Sequence, residues 1–343
     1  MIDINNYIVD ENKNIDEEVD KIFQYYKISG FPNYTKDSYD IKKELNKLIK
    51  FDDSKLLYND NCLKQTMHSC GFLWTYFPHW IEIECGTSRS LIECWNDDDT
   101  LKQLIKKTYK YLLKHSDSKK WTTNRLRQNA KVYGAKQSVS NFRPTVAKYI
   151  YQNYGFAGKV WDMCSGFGGR LLGFLSSDCV EYIGTDPSTK TFEGLTKLST
   201  DYSYVGKNIK LFKLGCEEYC PPDNSIDLCF TSPPYFDTEK YSTELTQSYL
   251  KYPSPDEWIN GFLKSMIYNT YKCTTKNGHC LINIANTKKV FNLENETIRL
   301  AKEIGYKHEN TLKMELSSIS GKGVKYEPIF IFPMISLSKL FIS

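Results

Sequence analysis

Trp161-Asp162-Met163-Cys164-Ser165-Gly166-Phe167-Gly168-Gly169-Arg170 is the stretch on which the fold of this 343-residue chain turns. It follows the apolar run 159–163 and leads into an apolar helix that begins near Leu171. A short buried run, a glycine corner and a helix make a strand–turn–helix unit. Glycines at such a corner permit positive φ and let a ligand approach the backbone closely. A structural tight turn has the same local signature, so the corner needs a partner. Asp186 supplies one. It ends Tyr182-Ile183-Gly184-Thr185-Asp186-Pro187, twenty residues after Gly166, where an acid can accept hydrogen bonds from ribose hydroxyls.

Outward from this unit the chain alternates short apolar runs with helical segments. Runs 159–163, 182–185, 209–214, 226–231 and 279–285 read as buried strands, and segments 168–176, 189–200 and 256–273 as helices. That alternation predicts an α/β fold with an open, mostly parallel twisted sheet covered by helices on both faces. Ligands in such sheets sit in the crevice beyond the carboxyl ends of the strands. Upstream of residue 150 the pattern changes. Apolar residues at three- and four-residue spacing, such as Leu101, Leu104, Ile105, Tyr109 and Leu112, predict helices over 16–28, 38–50 and 97–115. The aromatic and β-branched run 72–83 predicts strands. The expected division is an N-terminal, mainly helical accessory region over 1–120 and a catalytic domain over 121–343.

Thr231-Ser232-Pro233-Pro234-Tyr235, directly after the run 226–231, carries the chemistry. Two consecutive prolines past a buried strand fix an extended backbone and remove two N–H donors. What remains is a set of acceptors, the Ser232 side chain and the carbonyls around Pro233, suited to hold an exocyclic amino group with its lone pair turned towards an electrophile. Tyr235 adds an aromatic face on which a base taken out of its helix can stack. Glu217, in Gly215-Cys216-Glu217-Glu218 after the third strand, is a candidate holder of an adenine amino group, with Glu218 or a backbone contact as alternatives. The glycine turn alone does not separate NAD from S-adenosylmethionine.

Cys164-x-Gly166-x-Gly168 followed by Ser232-Pro233-Pro234-Tyr235 resembles the paired cofactor and catalytic motifs of the DNA amino-methyltransferases, which modify N4 of cytosine or N6 of adenine. Ser140-Asn141-Phe142-Arg143-Pro144 is similar to the family's segment that encloses the methionine moiety. Phe236-Asp237-Thr238-Glu239-Lys240-Tyr241-Ser242 is similar to phage and other mobile-element members. The resemblance covers about residues 120–290. It implies a Rossmann-like methyltransferase fold and S-adenosylmethionine as cofactor, bound by Asn141, Phe142, Asp162, Cys164, Gly166, Gly168, Asp186 and Glu217. It also implies catalysis by Ser232, Pro233, Pro234 and Tyr235. Two departures stand out: Cys164 replaces the usual Phe at the head of the cofactor motif, and Ser232 replaces Asp or Asn at the head of the catalytic one. A serine there is commoner among cytosine-N4 members. Methylation of an RNA base or a protein glutamine is the alternative with the same chemistry, and a catalytically silent nucleic-acid-binding subunit the alternative without it.

Charge distribution points to the same partner. Residues 101–150 hold thirteen Lys and Arg against the single acid Asp117, a surplus of twelve positive charges that can attract a polyanion. Within that window Arg125, Arg127, Gln128, Lys131 and Lys136 are the candidate DNA contacts, since Arg and Gln suit phosphate and base-edge recognition. Lys322, Lys325 and Tyr326, around Ser320-Gly321-Lys322-Gly323, either touch the DNA backbone or connect two late strands. Residues 1–20 are acidic, with Asp3, Asp10, Glu11, Asp16, Glu17, Glu18 and Asp20 against Lys13. For 1–120, target recognition and a homodimer contact are both open. An apolar content of 41% with 25% charged residues fits a globular protein. With no apolar run of membrane-spanning length and no signal-peptide pattern, the expected setting is cytoplasmic, with no membrane partner. Eleven cysteines without a CxxC pair are expected to be reduced thiols. Cys62, His68, Cys70, His79, Cys85 and Cys94 are close together, but their spacings match no standard zinc ligand set, so no metal is expected.

Overall fold

The computed structural model describes residues 2–59, 61–316 and 325–334. By packing, the chain forms two compact units: 1–34 with 78–140, and 35–77 with 141–343. The division is therefore not a single cut near residue 120. Residues 35–77 belong with the catalytic half of the chain, and 121–140 with the N-terminal helices.

The first unit is helical. Helices Ile15–Ser29, Leu91–Asn96, Asp98–His115 and Thr123–Asn129, with a wider turn over Ala130–Gly134, close on a core that includes Phe23, Tyr26, Trp95, Leu104, Ile105 and Trp121. Trp121 Nε1 donates to the Tyr26 hydroxyl at 3.0 Å, which satisfies two buried polar atoms at once. The two opposite charge runs meet here. Lys102 pairs with Asp20, Lys106 with Asp16 and Lys119 with Glu11. The acidic first helix thus answers part of the basic surplus of the long helix.

The second unit is built on nine strands: β1 (Leu57–Tyr58), β2 (Cys62–Leu63), β3 (Lys159–Asp162), β4 (Glu181–Thr185), β5 (Asn208–Phe212), β6 (Ile226–Thr231), β7 (Thr274–Asn283), β8 (Asn310–Leu316) and β9 (Lys325–Pro333). Their order across the sheet is β1-β2-β8-β9-β7-β6-β3-β4-β5. The run β7-β6-β3-β4-β5 is parallel throughout, and β9 enters antiparallel between β8 and β7. This is the Rossmann-like α/β architecture that the alternation predicts. Helices α1 (Ile41–Ile49), α2 (Pro144–Tyr154), α3 (Gly169–Leu175), α4 (Thr189–Asp201), α5 (Lys264–Cys273) and α6 (Leu293–Ile304) belong to the same unit. The strands nearest the centre are the most apolar, with Val160, Trp161, Leu228, Cys229, Phe230, Leu281 and Ile282 at 0% exposure, as expected of parallel strands covered on both faces.

Three local expectations change. The run 72–83 contains no strand: Cys70–Leu73 is a helical turn of the second unit and Pro78–Glu82 a 3-10 turn of the first. Phe72, Leu73, Trp74 and Phe77 are all buried, so the run lacks the alternation of a strand, and Pro78 interrupts it. The helix expected over 256–273 starts with a short turn at Pro255–Glu257, widens over Trp258–Leu263 and becomes α5 only at Lys264. β7 begins five residues earlier than the apolar run, because polar Thr274–Gly278 also extends and pairs with β6 across a bulge. Ser320, Gly321, Lys322 and Gly323 lie outside the described residues, while Lys325 and Tyr326 open β9. Among the described residues, no helix is long and apolar enough to cross a membrane. No group of three His, Cys, Asp or Glu side chains among them is placed to hold a metal ion, and all eleven cysteines are free thiols.

Candidate active site

From β3 the chain steps outward to β4 and then β5, and returns to place β6 on the other side of β3. That reversal is the switch point at which open sheets of this kind form a crevice. The glycine turn leaves the end of β3 and Ser232-Pro233-Pro234-Tyr235 leaves the end of β6, so the two motifs adjoin although more than sixty residues separate them. They are joined directly. Cys164 N–H donates to Thr231 Oγ1 at 3.0 Å, and Thr231 Oγ1 donates to Asp162 Oδ1 at 3.2 Å.

The glycine turn is wired from beneath. Asp162, 1% exposed, receives Arg170 Nε at 2.9 and 3.0 Å and the Tyr182 hydroxyl at 2.7 Å. Arg170 also donates to the Cys164 carbonyl. Asp162 thus supports the turn through its hydrogen bonds to Arg170, Tyr182 and Thr231. Asn141 is similarly engaged: its Nδ2 donates to the Phe167 carbonyl at 2.7 Å. Phe142 stands edge-on to Phe230 at 5.4 Å, with the Arg170 guanidinium over its ring, and its carbonyl occupies the space that a Cβ on Gly169 would need. Only glycine fits there. Gly168 caps α3 at φ +72°, and Leu198 and Phe77 fill the space beside it, so it too serves packing.

Four positions line the space left beside these supports. Gly166 has φ +55°, and a methyl group on its Cα would meet nothing nearer than 3.9 Å, so an open cradle lies beside the backbone. Asp186 closes that cradle: it accepts from Gly166 N–H at 3.0 Å and from Ser188 N–H at 3.1 Å. Burial pushes its carboxyl up to about 6, against the lowering effect of those two bonds. Glu217 has one oxygen on Lys251 Nζ at 2.8 Å, and its Oε2 is buried without a partner. Cys164 is half-buried, with its sulfur 3.7 Å from that of Cys216.

The Ser232-Pro233-Pro234-Tyr235 turn is held from its far side. Pro233 is buried, while Ser232, Pro234 and Tyr235 are partly exposed. Phe236 adopts φ +59°, which costs a bulky residue about 1–3 kcal/mol. Its ring is buried edge-on to Trp258 at 6.2 Å, and that packing holds the strained backbone. The following segment, 237–247, which includes the short strand Glu239–Lys240, returns across the crevice. Tyr241 meets Phe167 at 6.0 Å between ring centres, and Glu244 accepts from Thr189 N–H at 3.1 Å at the start of α4. The Tyr235 hydroxyl faces the Asn283 carbonyl at 3.4 Å and Glu327 Oε2 at 3.5 Å. Asn283 and Glu327 thus join the site without a motif to announce them, while Arg170, Thr231 and Tyr182, which lie inside the stretches that mark the site, join it as supports of the two turns.

In the first unit, Arg127 donates to the Pro32 carbonyl at 2.7 Å and lies 4.2 Å over Tyr34, and Lys131 lies 4.3 Å over Trp80. These two are engaged in the packing of their own unit. Gln128 and Lys136 are exposed, and Arg125 rests 4.0 Å over the Tyr111 ring.

Comparison with known protein families and with curated protein sequences gives no match. Among solved structures, similar ones include Pyrococcus horikoshii TYW2 in complex with MeSAdo (14% identity, 55% of this chain and 60% of that chain, TM-score 0.37). A TehB-like SAM-dependent methyltransferase from Corynebacterium glutamicum (13%, 62% and 96%, 0.37) is another. A third is the Burkholderia thailandensis 1,6-didemethyltoxoflavin-N1-methyltransferase (10%, 56% and 78%, 0.40). Likenesses this distant leave the activity to be read from the site itself.

Proposed function

We propose that this chain is an S-adenosylmethionine-dependent methyltransferase acting on an exocyclic amino group of a base in DNA, with N4 of cytosine favoured over N6 of adenine. The observation that carries the reading is the meeting of the glycine turn and Ser232-Pro233-Pro234-Tyr235 at the switch point, tied through Thr231.

The crevice suits a cationic cofactor better than a pyrophosphate. Gly166 N–H, a donor that a phosphate would use, is already taken by Asp186, and Glu244 takes the first N–H of α4. The groups left to face a ligand are carboxylates. Asp186 would receive ribose hydroxyls, the unpartnered Oε2 of Glu217 would receive the adenine amino group, and the cradle at Gly166 would pass the adenosyl moiety. When bound, S-adenosylmethionine supplies an electrophilic methyl group on a sulfonium.

The protein's own part is positioning and electrostatics. Ser232 Oγ and the carbonyls beside the prolines accept the amino hydrogens, which turns the nitrogen lone pair towards the crevice. Tyr235 stacks the extruded base. Ser232 favours cytosine by its resemblance to the N4 members. The exposed Gln128 and Lys136, with Arg125 on the Tyr111 ring, are the residues proposed to contact the DNA.

Purified protein incubated with methyl-labelled S-adenosylmethionine and unmodified DNA, followed by nucleoside mass spectrometry, tests the reading. N4-methylcytosine is the expected product; N6-methyladenine would keep the reaction and change the base. Label appearing only in RNA or in a glutamine side chain would replace the substrate.

A further inference from the structure

A serine at the head of the catalytic motif can pass a proton on but cannot keep it, and methylation of a neutral amine leaves a nitrogen with one proton too many. The surroundings of Tyr235 provide a place for it. Ser232 precedes Tyr235 by three residues on the same turn, and its hydroxyl acts on the Tyr235 hydroxyl in the sense of a donor, favouring the ionised form. Tyr235 in turn donates towards Glu327 Oε2 at 3.5 Å, with the Asn283 carbonyl as its other acceptor at 3.4 Å. Catalytic hydrogen bonds are often this long without substrate and tighten in the complex with it. Glu327 stands on β9, and Asn283 Nδ2 on neighbouring β7 donates to the Pro328 carbonyl at 2.9 Å, which fixes the backbone next to the carboxylate.

A second carboxylate, Glu239, sits close enough to Tyr235 and Glu327 to act on both. Burial, reinforced by the charge of Glu327, pushes Glu239 up to about 7, and burial also raises Glu327. Tyr235, Asn283 and the more distant Arg143 work the other way on Glu327. Arg143 itself is committed to Gln65 and to the Asn141 carbonyl. Burial thus eases protonation of both carboxylates.

We propose that Glu327 is the terminal proton acceptor of this site, reached from the target amino group through the hydroxyls of Ser232 and Tyr235, with Glu239 as its companion carboxylate. The proposal rests on the amino-methylation reading. As the amino nitrogen gains its methyl group, the N–C bond forms while the S–C bond breaks and leaves its electron pair on sulfur. The surplus proton moves to Ser232 Oγ as the Ser232 proton moves to Tyr235 and the Tyr235 proton to Glu327 Oε2. Ser232 and Tyr235 end neutral, and the positive charge lost at sulfur is matched by the negative charge lost at Glu327.

The test is single-turnover methyl transfer to DNA across pH 5–9 with wild type, Glu327→Gln and Glu327→Asp, alongside calorimetric cofactor binding as a check on folding. Glu327→Gln is expected to slow transfer roughly 100-fold and flatten the acid limb of the pH profile, with cofactor affinity unchanged and partial recovery in Glu327→Asp. A Glu327→Gln rate and pH profile like those of wild type would overturn the proposal. Infrared titration of the ligand-free protein reads the link without any substrate. Removing the hydroxyl in Tyr235→Phe should raise the midpoint of the carboxyl band that Glu327→Gln abolishes, because the lost bond favours the ionised form. An unmoved midpoint sinks the relay. A wild-type protein that transfers nothing to DNA while that midpoint does move would count against the DNA reading and for the hydrogen-bonded line.

Discussion

The two turns that meet at the switch point solve opposite problems. The glycine turn after β3 is almost fully satisfied from within: Asp162, Arg170, Tyr182 and Asn141 lie buried beneath it and engage one another or its backbone. The proline turn after β6 has two prolines where donors would be, and a strained Phe236 held by its buried ring. One turn is a closed hydrogen-bond network that presents a shape. The other is a set of acceptors left open towards whatever enters. The contrast teaches that binding geometry and reactivity can be assigned to neighbouring strand ends with different demands on stability.

The largest expected effect tests the closed network. Asp162→Ala leaves the Arg170 guanidinium buried without its carboxylate, and should cost about 3–5 kcal/mol of folding stability, measured by urea denaturation. A loss below about 1 kcal/mol would show that the turn does not depend on that pair. Next comes the open turn. Tyr235→Ala and Pro233→Ala should leave the urea midpoint near that of wild type and lower methyl transfer by at least roughly 100-fold. Full activity in either variant would remove the catalytic assignment.

Asp186 sits between the two regimes, and its expected effect is intermediate. Asp186→Ala should weaken cofactor binding roughly 10- to 100-fold, or about 1.5–3 kcal/mol, by calorimetry. Its pH dependence has a definite sign. Burial raises the folded-state value to about 6, so the empty fold favours the protonated acid. The stability this group contributes is complete below its unfolded value, and is lost as pH rises through about 6. Ribose hydroxyls bind the ionised form, so cofactor affinity should run the opposite way and fall by up to about tenfold per unit as pH drops below the folded value. Asp186→Asn should be weaker and flat with pH. The smallest effect concerns cations rather than carboxylates. Arg125→Ala and Lys136→Ala should each reduce the slope of log affinity for DNA against log salt by about 1. Arg127→Ala, whose guanidinium is engaged inside its own unit, should change stability instead.

Both turns were legible in the sequence because each is local: a buried run, then glycines or prolines within ten residues. The parallel order of the strands followed from the alternation of runs and helices. Residues that act across long separations were not legible. Glu327 comes near Tyr235 only because β9 inserts antiparallel beside β7, and nothing around position 327 announces that placement. Residues 72–83 misled for a different reason. Their β-prone composition reflects burial on every side, and composition cannot distinguish that from the two-faced burial of a strand. The basic surplus of 101–150 overstated the exposed charge, because Lys102, Lys106 and Lys119 find acids from the N-terminal segment.

The loop from Phe236 to Gln247 has one more consequence. Strand amides of β3 and β6 should exchange with deuterium only when the whole unit unfolds, whereas those of the loop, anchored through Glu244 and Tyr241, should exchange through small local openings. Floor and roof of the crevice therefore keep different time. A ligand lodged between them should leave at the pace of the roof, so its residence time should follow how often Glu244 releases Thr189 rather than the stability of the fold that holds it.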